Sequence, residues 1–239
     1  MERTLLACAS VSILSVLFIA AVFVFERGLP LFRSVTVREF LLGTNWAPTS
    51  QSNPGYGILG FIVGSLLVSF GALLVAVPLG VAGGTFLAEV AKGKVARLLR
   101  SVVELLAGIP SVVYGFFGVI IICRLLRVCF GGTGYSVLAA ALALAIMTLP
   151  TIVSITEAAV RSVPRDHREA SFAMGATQAQ TIMRVMIPEA RAGIIAAVVL
   201  GIGRAIGETL AVLMVGGNAP IMPTGPLSMV RTLTMVQRS

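Results

Sequence analysis

The chain has 239 residues, of which 57% are hydrophobic and only 12% charged, and it carries a net charge of +8. A water-solvated globular domain carries about 25% charged residues, so the composition excludes an ordinary soluble fold. The positive charge sits on arginines and lysines between apolar runs, with no aromatic-basic surface pattern, and this argues for topology determinants and lipid-headgroup contacts rather than a nucleic-acid partner.

A bilayer core about 30 Å thick needs roughly 20 apolar residues per helix. Five runs qualify, at about 5–26, 57–89, 101–123, 135–157 and 191–216. They predict an all-α, polytopic membrane helix bundle in one domain, 1–239, with its core at 57–239 and an N-terminal span and outer loop at 1–56. The first run is too long for a signal-peptide core and no small-x-small cleavage site follows it, so it reads as a retained span.

The loop from Arg27 to Tyr56 holds Asn45, Trp46, Pro48, Ser50, Gln51, Asn53, Pro54 and Gly55. These are turn formers beside an interfacial tryptophan. In the second run, glycines at 60, 64, 71, 80, 83 and 84 allow close helix packing. Pro78 is expected to kink this run or end its intramembrane part. The next loop carries Lys92, Lys94, Arg97 and Arg100, and the loop at 158–190 carries Arg161, Arg165, Arg168 and Arg184, with Arg191 at its edge. Counting lysine and arginine by loop places the N-terminus and both of these loops in the cytoplasm.

Cys8, Cys123 and Cys129 lack metal-site spacing and read as small apolar filler, with a Cys123–Cys129 disulfide as a weaker alternative. Glu89, Glu104 and Glu157 read as interfacial or helix-end charges. The single histidine, His167, lies among Arg165, Asp166 and Arg168 in a polar loop, which suits neither metal binding nor catalysis. No G-x-x-x-x-G-K-[ST] phosphate cradle occurs, so ATP hydrolysis, if coupled, belongs to another chain. No nucleophile–base constellation, metal site or cofactor motif is visible.

Residues 164–188 predict a helix–turn–helix between spans. Ser162 is expected to cap a helix starting near Pro164. Ala170, Phe172, Ala173 and Met174 form its apolar surface, Gly175 permits a sharp turn, and a second helix runs from Gln178 to Ile187 and ends at Pro188. The residues alone fit two descriptions: an amphipathic segment on the membrane surface, or a docking helix for a cytoplasmic partner.

In the last run, Arg204 and Glu208 are four residues apart and are expected to share a helix face, with Gly201, Gly203 and Gly207 around them. An arginine at the centre of a bilayer costs about 2.5–3.5 kcal/mol on insertion scales. Two descriptions fit again: a structural pair that fixes packing, or an anion site or gate in which Glu208 neutralises Arg204 at rest. Guanidinium suits an oxyanion because it is always charged and presents a planar fork. Asn218 closes this run and could cap it or line an outer gate.

Glu169-Ala170-Ser171, then Gly175, then Val185-Met186-Ile187-Pro188 keep the spacing of the Glu-Ala-Ala loop of bacterial ABC-importer permeases, which this segment resembles. The words GRAIGETLAVLMVGGN and LLAGIPSVVYGFFG resemble the C-type (PstC) membrane subunit of the phosphate-specific transporter. The resemblance implies the type I ABC-importer permease fold in the bacterial or archaeal cytoplasmic membrane. It also implies a coupling loop shaped by Glu169, Ala170, Phe172, Gly175 and Pro188, and a substrate path near Arg204, Glu208 and Asn218. Implied partners are an A-type permease (PstA), a dimer of ATP-binding subunits (PstB), an extracytoplasmic phosphate-binding protein (PstS) and phosphate. Family members continue into a sixth span, so this chain reads as truncated at Ser239. The alternatives are a permease for molybdate or sulfate, and a non-transporting phosphate-signalling scaffold.

Overall fold

The computed structural model describes residues 2–33, 35–50 and 54–235, with the side chains of residues 2–10, 20, 24, 27, 31, 33 and 235 outside the description. It divides into two units, residues 1–59 and 60–239. In the first, α1 (Glu2–Gly28) is followed by a 3-10 turn (Leu29–Arg33) and α2 (Val37–Leu42). A short hairpin pairs β1 (Trp46–Ala47) with β2 (Gly55–Tyr56), Trp46 opposite Tyr56. Gly57 N–H donates to Asn45 O at 2.8 Å and Leu59 N–H to Gly43 O at 3.1 Å, closing the loop on itself.

The second unit contains α3 (Leu59–Glu89), of which Leu59 is the boundary residue, and α4 (Gly93–Gly108). α5 (Ser111–Phe117) and α6 (Arg124–Phe130) are joined by a π-helical turn (Gly118–Cys123) into one span, Ser111–Phe130. α7 (Val137–Arg161) and α8 (Arg165–Ala173) follow. Then come α9 (Gln178–Thr181), a π-turn (Ile182–Met186), α10 (Ile187–Glu189), α11 (Arg191–Gly207) and α12 (Leu210–Gly216).

Among the described residues, Leu59–Glu89, Ser111–Phe130 and Val137–Arg161 are each long and apolar enough to cross a membrane. Gln178–Glu189 with Arg191–Gly207 makes a fourth candidate, bent by 70°. The expected first span falls in α1, whose described apolar stretch is Val11–Phe23.

α7 is the hub. Alanines at 139, 140, 141, 143 and 145 are all buried on it, and α4, α5, α11 and α12 pack against it. Small side chains let backbones approach, which matters where lipid leaves no hydrophobic drive between helices. On α3 the complementary residues are Gly80, whose added Cβ would meet Ile152, and Gly84, whose Cβ would meet Thr156 and Val153 O.

The N-terminus of α7 is closed by other segments. Val137 N–H donates to Ser228 O at 2.9 Å and Leu138 N–H to Pro226 O at 2.8 Å. Ala139 N–H donates to Ser136 Oγ at 3.1 Å, and Ala140 N–H to Ser136 O at 3.0 Å. With Ser136 N–H donating to Val215 O at 3.3 Å, the donors of Ser136, Val137, Leu138 and Ala139, which a helix start leaves without intrahelical partners, are all used. The segment after Asn218, with Pro220, Pro223, Gly225 and Pro226, is therefore a capping element. Its Val230 is fully buried, and Val230 N–H donates to Gly216 O at 2.8 Å.

Two expectations are corrected. The third apolar run is not a single helix from 101 to 123: Ile109 is extended at ψ 129° before Pro110, separating α4 from α5. Proline disfavours helical geometry in the residue before it. Pro78 lies inside α3, which continues through it to Glu89. Cys123 and Cys129 are free thiols, one buried and one exposed.

Gly84→Ala is expected to lower stability by about 1–3 kcal/mol, because α3 must retreat from backbone atoms of α7. Gly203→Ala, where nothing lies within 4 Å of the added Cβ, should be neutral or stabilising by up to about 1 kcal/mol. Denaturant unfolding in detergent micelles checks both.

Candidate functional site

Two groups of expected residues lie in different places. The first is the loop after α7. Ser162 does not cap α8; it closes α7, its Oγ donating to Ala159 O at 2.7 Å, and Pro164 occupies the cap position of α8. Gly175 takes φ +81°, the left-handed conformation that lets the chain reverse there. Thr177 then caps α9 in a reciprocal box with Gln180, at 3.3 and 2.9 Å. The helical path runs through Pro188, which sits in the first turn of α10 rather than ending the helix.

No residue of α8 is buried. Glu169, Ala170, Phe172 and Gly175 are exposed, and Met174 is 88% exposed. The helix is nevertheless held. Arg168 Nη2 donates to Glu89 Oε1, Gln178 Nε2 donates to Glu89 O at 3.2 Å, and the Ser171 and Thr181 hydroxyls lie 2.9 Å apart. Beneath the loop, Val160, Val163, Met186 and Ala190 make a small apolar core.

Beside this loop, Glu157 accepts from Arg100 at 2.6 and 3.2 Å and from Arg161 at 2.9 Å. The hydrogen bond and charge of Glu157, with a smaller contribution from Glu104, hold the Arg100 guanidinium above its ordinary pKa. Glu89, the last residue of α3, and Glu157, in the last turns of α7, thus have buried side chains with arginine partners. His167 Nδ1 lies 3.8 Å from Glu189 Oε1, both groups being well exposed. Among the described residues no cluster of His, Cys, Asp or Glu could hold a metal ion.

The second group is in α11 and α12. Arg204 and Glu208 do not form the expected pair. α11 ends at Gly207, and Glu208 is extended at ψ 128°. The i,i+4 relation requires an unbroken helix, and here the helix is interrupted. Glu208 Oε1 instead accepts from Ala211 N–H at 3.2 Å, satisfying an orphan donor in the first turn of α12. Arg204 Nη1 donates to Thr151 Oγ1 of α7 at 3.1 Å, and no ion pair to Arg204 occurs among the described residues. Both residues are half-buried. Asn218 is exposed at φ +50°, following Gly217 at φ +86°. It turns the chain out of α12 and lies apart from the loop group.

Residues 80–234 match the family model described as the binding-protein-dependent transport system inner membrane component. The chain belongs to that family. It is 44% identical over 233 residues to the probable ABC transporter permease YqgH of Bacillus subtilis, covering 96% of this chain and 75% of the relative. It is 35% identical over 216 residues to the phosphate transport system permease PstC of Mesorhizobium japonicum, covering 82% of this chain and 65% of that one. It is 34% identical over 206 residues to PstA 2 of Mycobacterium tuberculosis, covering 86% and 63%. The chain therefore spans three quarters of the first relative and a little under two thirds of the other two.

An inward-facing MetNI methionine ABC transporter aligns with TM-score 0.51 at 25% identity, over 63% of this chain and 68% of that one. An amino acid ABC transporter aligns with TM-score 0.50 at 23% identity, over 69% and 73%. The fold is that of the type I ABC-importer permeases, and this family member is a multi-pass protein of the cytoplasmic membrane.

Thr177→Ala is expected to destabilise the loop by about 1 kcal/mol through loss of the cap. Faster amide hydrogen exchange confined to residues 165–189 checks it.

Proposed function

We propose that the chain is a membrane subunit of an ATP-driven importer of inorganic phosphate. It forms the translocation path with a second permease subunit and docks, through α8, on a separate ATP-hydrolysing subunit. An extracytoplasmic phosphate-binding protein delivers the substrate. The observation that carries the reading is Arg204: a half-buried guanidinium inside an apolar bundle, held by a threonine hydroxyl rather than a carboxylate. Such a group keeps its charge and donors available to an oxyanion. Placing it there costs about 2.5–3.5 kcal/mol, which a purely structural contact to one hydroxyl does not explain. The names of the PstC and PstA relatives support phosphate as that oxyanion.

α8 supports the second half of the reading. It protrudes with Phe172 and Met174 uncovered, while its base is fixed by Arg168 and the Ser171–Thr181 contact. An exposed apolar pair on an anchored helix suits a cleft in a partner.

The test is labelled-phosphate uptake by the complete transporter. Arg204→Ala should lower uptake at least about 100-fold. Arg204→Lys keeps the charge without the planar fork, so it should retain an intermediate rate. Uptake of sulfate or molybdate in place of phosphate would overturn the substrate assignment. Phe172→Asp should release the ATPase subunit during co-purification without lowering the amount of this chain in the membrane, because Phe172 is 43% exposed and no part of a buried core in the chain itself.

A further inference from the structure

Two carboxylates lie buried at the end of the bundle that carries the docking loop. The Glu89 side chain is 4% exposed and the Glu157 side chain 9%. Between them they engage arginines from three helices. Arg100 of α4 and Arg161 of α7 both donate to Oε1 of Glu157. Arg161 also reaches across to α3, its Nη2 donating to Leu87 O at 3.0 Å. Arg168 of α8 donates to Glu89, the last residue of α3. The contacts therefore run without a gap from α4 to α7, from α7 to α3, and from α3 to the exposed helix α8.

Stability alone does not account for this arrangement. Taking carboxylates out of water costs as much as the pairs return, and apolar side chains of similar volume would pack the same space at equal or lower cost. Charged, forked contacts differ from apolar ones in being directional: they fix register and resist sliding. The small apolar core under the loop, Val160, Val163, Met186 and Ala190, holds the elements together but offers no such register.

We propose that Glu89 and Glu157 are positioning residues for energy coupling. Through Arg168, Arg161 and Arg100 they make α8 and the adjoining ends of α3, α4 and α7 move as one body, so that displacement of the docking helix is delivered to the spans. The inference rests on the reading of α8 as the ATPase docking helix.

The experiment uses the complete transporter in proteoliposomes, with phosphate uptake and ATP hydrolysis measured on the same preparation. Glu89→Gln, Arg168→Gln and Glu157→Gln should each lower the ratio of phosphate transported to ATP hydrolysed by about fivefold or more. A purely structural role would lower both rates together, through loss of assembled complex, and leave the ratio unchanged. The exchanged pair Glu89→Arg with Arg168→Glu should restore the ratio to within about twofold of the parent. Single variants with the parental ratio, or an exchanged pair as defective as the singles, would overturn the proposal. Should the single variants fail to assemble, recovery of assembly and ratio in the exchanged pair supports it, and continued failure overturns it. Should the parent transport sulfate or molybdate instead of phosphate, the substrate assignment fails and the same ratios, measured on that anion, still decide the coupling role.

Discussion

The structure of the larger unit depends on one helix being able to stand inside an apolar layer with its backbone satisfied and its neighbours close. α7 meets both conditions by borrowing. Its first-turn N–H groups are taken by the Ser136 side chain and carbonyl and by the carbonyls of Ser228 and Pro226. Ser136, Val137 and Ala139 are buried, and a buried donor left open would cost about 1–3 kcal/mol. The chain from 217 to 235 is thereby committed to lie against α7, and Val230 is drawn into the core beside Gly64 of α3. What composition describes as a turn-rich tail is a structural part of the bundle.

The same helix brings the charged groups together. Gly80 and Gly84 admit α3 to contact with Ile152, Val153 and Thr156. One residue beyond that contact surface stands Glu157, and α3 ends shortly after it at Glu89. Close packing in the middle of the pair thus fixes two carboxylates near its end, where arginines from α4, α7 and α8 can reach them. Packing, cap and ionic contacts form a single dependency rather than three features.

Much of this was legible in the residues, and the illegible parts share a cause. Apolar runs located the spans, because run length reports directly on bilayer thickness. The helix–turn–helix after α7 was legible because its signals are local: Gly175 for the turn and the surrounding apolar residues for the exposed face. The Thr177–Gln180 box was also local and could have been found from its T-x-x-Q spacing. Helix interruptions were harder. Pro110 was present in the sequence, yet the hydrophobic run continues across it and masks the break between α4 and α5. After Gly207 the chain keeps an apolar, helical composition, so the i,i+4 pairing of Arg204 with Glu208 followed from assuming continuity. The partners of Glu89 and Glu157 lie as far as 79 and 57 residues away in the chain. No pattern in a window of a few turns can show these two, whereas Arg161, four residues from Glu157, lies within such a window.

The arginines of this chain separate into two kinds according to what holds them. At the loop end, Arg100, Arg161 and Arg168 are each engaged by a buried carboxylate. Their donors are directed at carboxylates, Arg100 and Arg161 sharing one oxygen of Glu157. Inside the bundle, Arg204 is oriented by the hydroxyl of Thr151. A hydroxyl fixes direction without cancelling charge. The interruption at Glu208 is what allows this difference. In a continuous helix Glu208 would lie one turn from Arg204 and would close it with an ion pair. By leaving the helix and accepting from Ala211 N–H, Glu208 satisfies a backbone donor of α12 instead. The break therefore does two things with one carboxylate: it satisfies a donor at the start of the last helix and leaves Arg204 oriented by Thr151 with no carboxylate partner among the described residues.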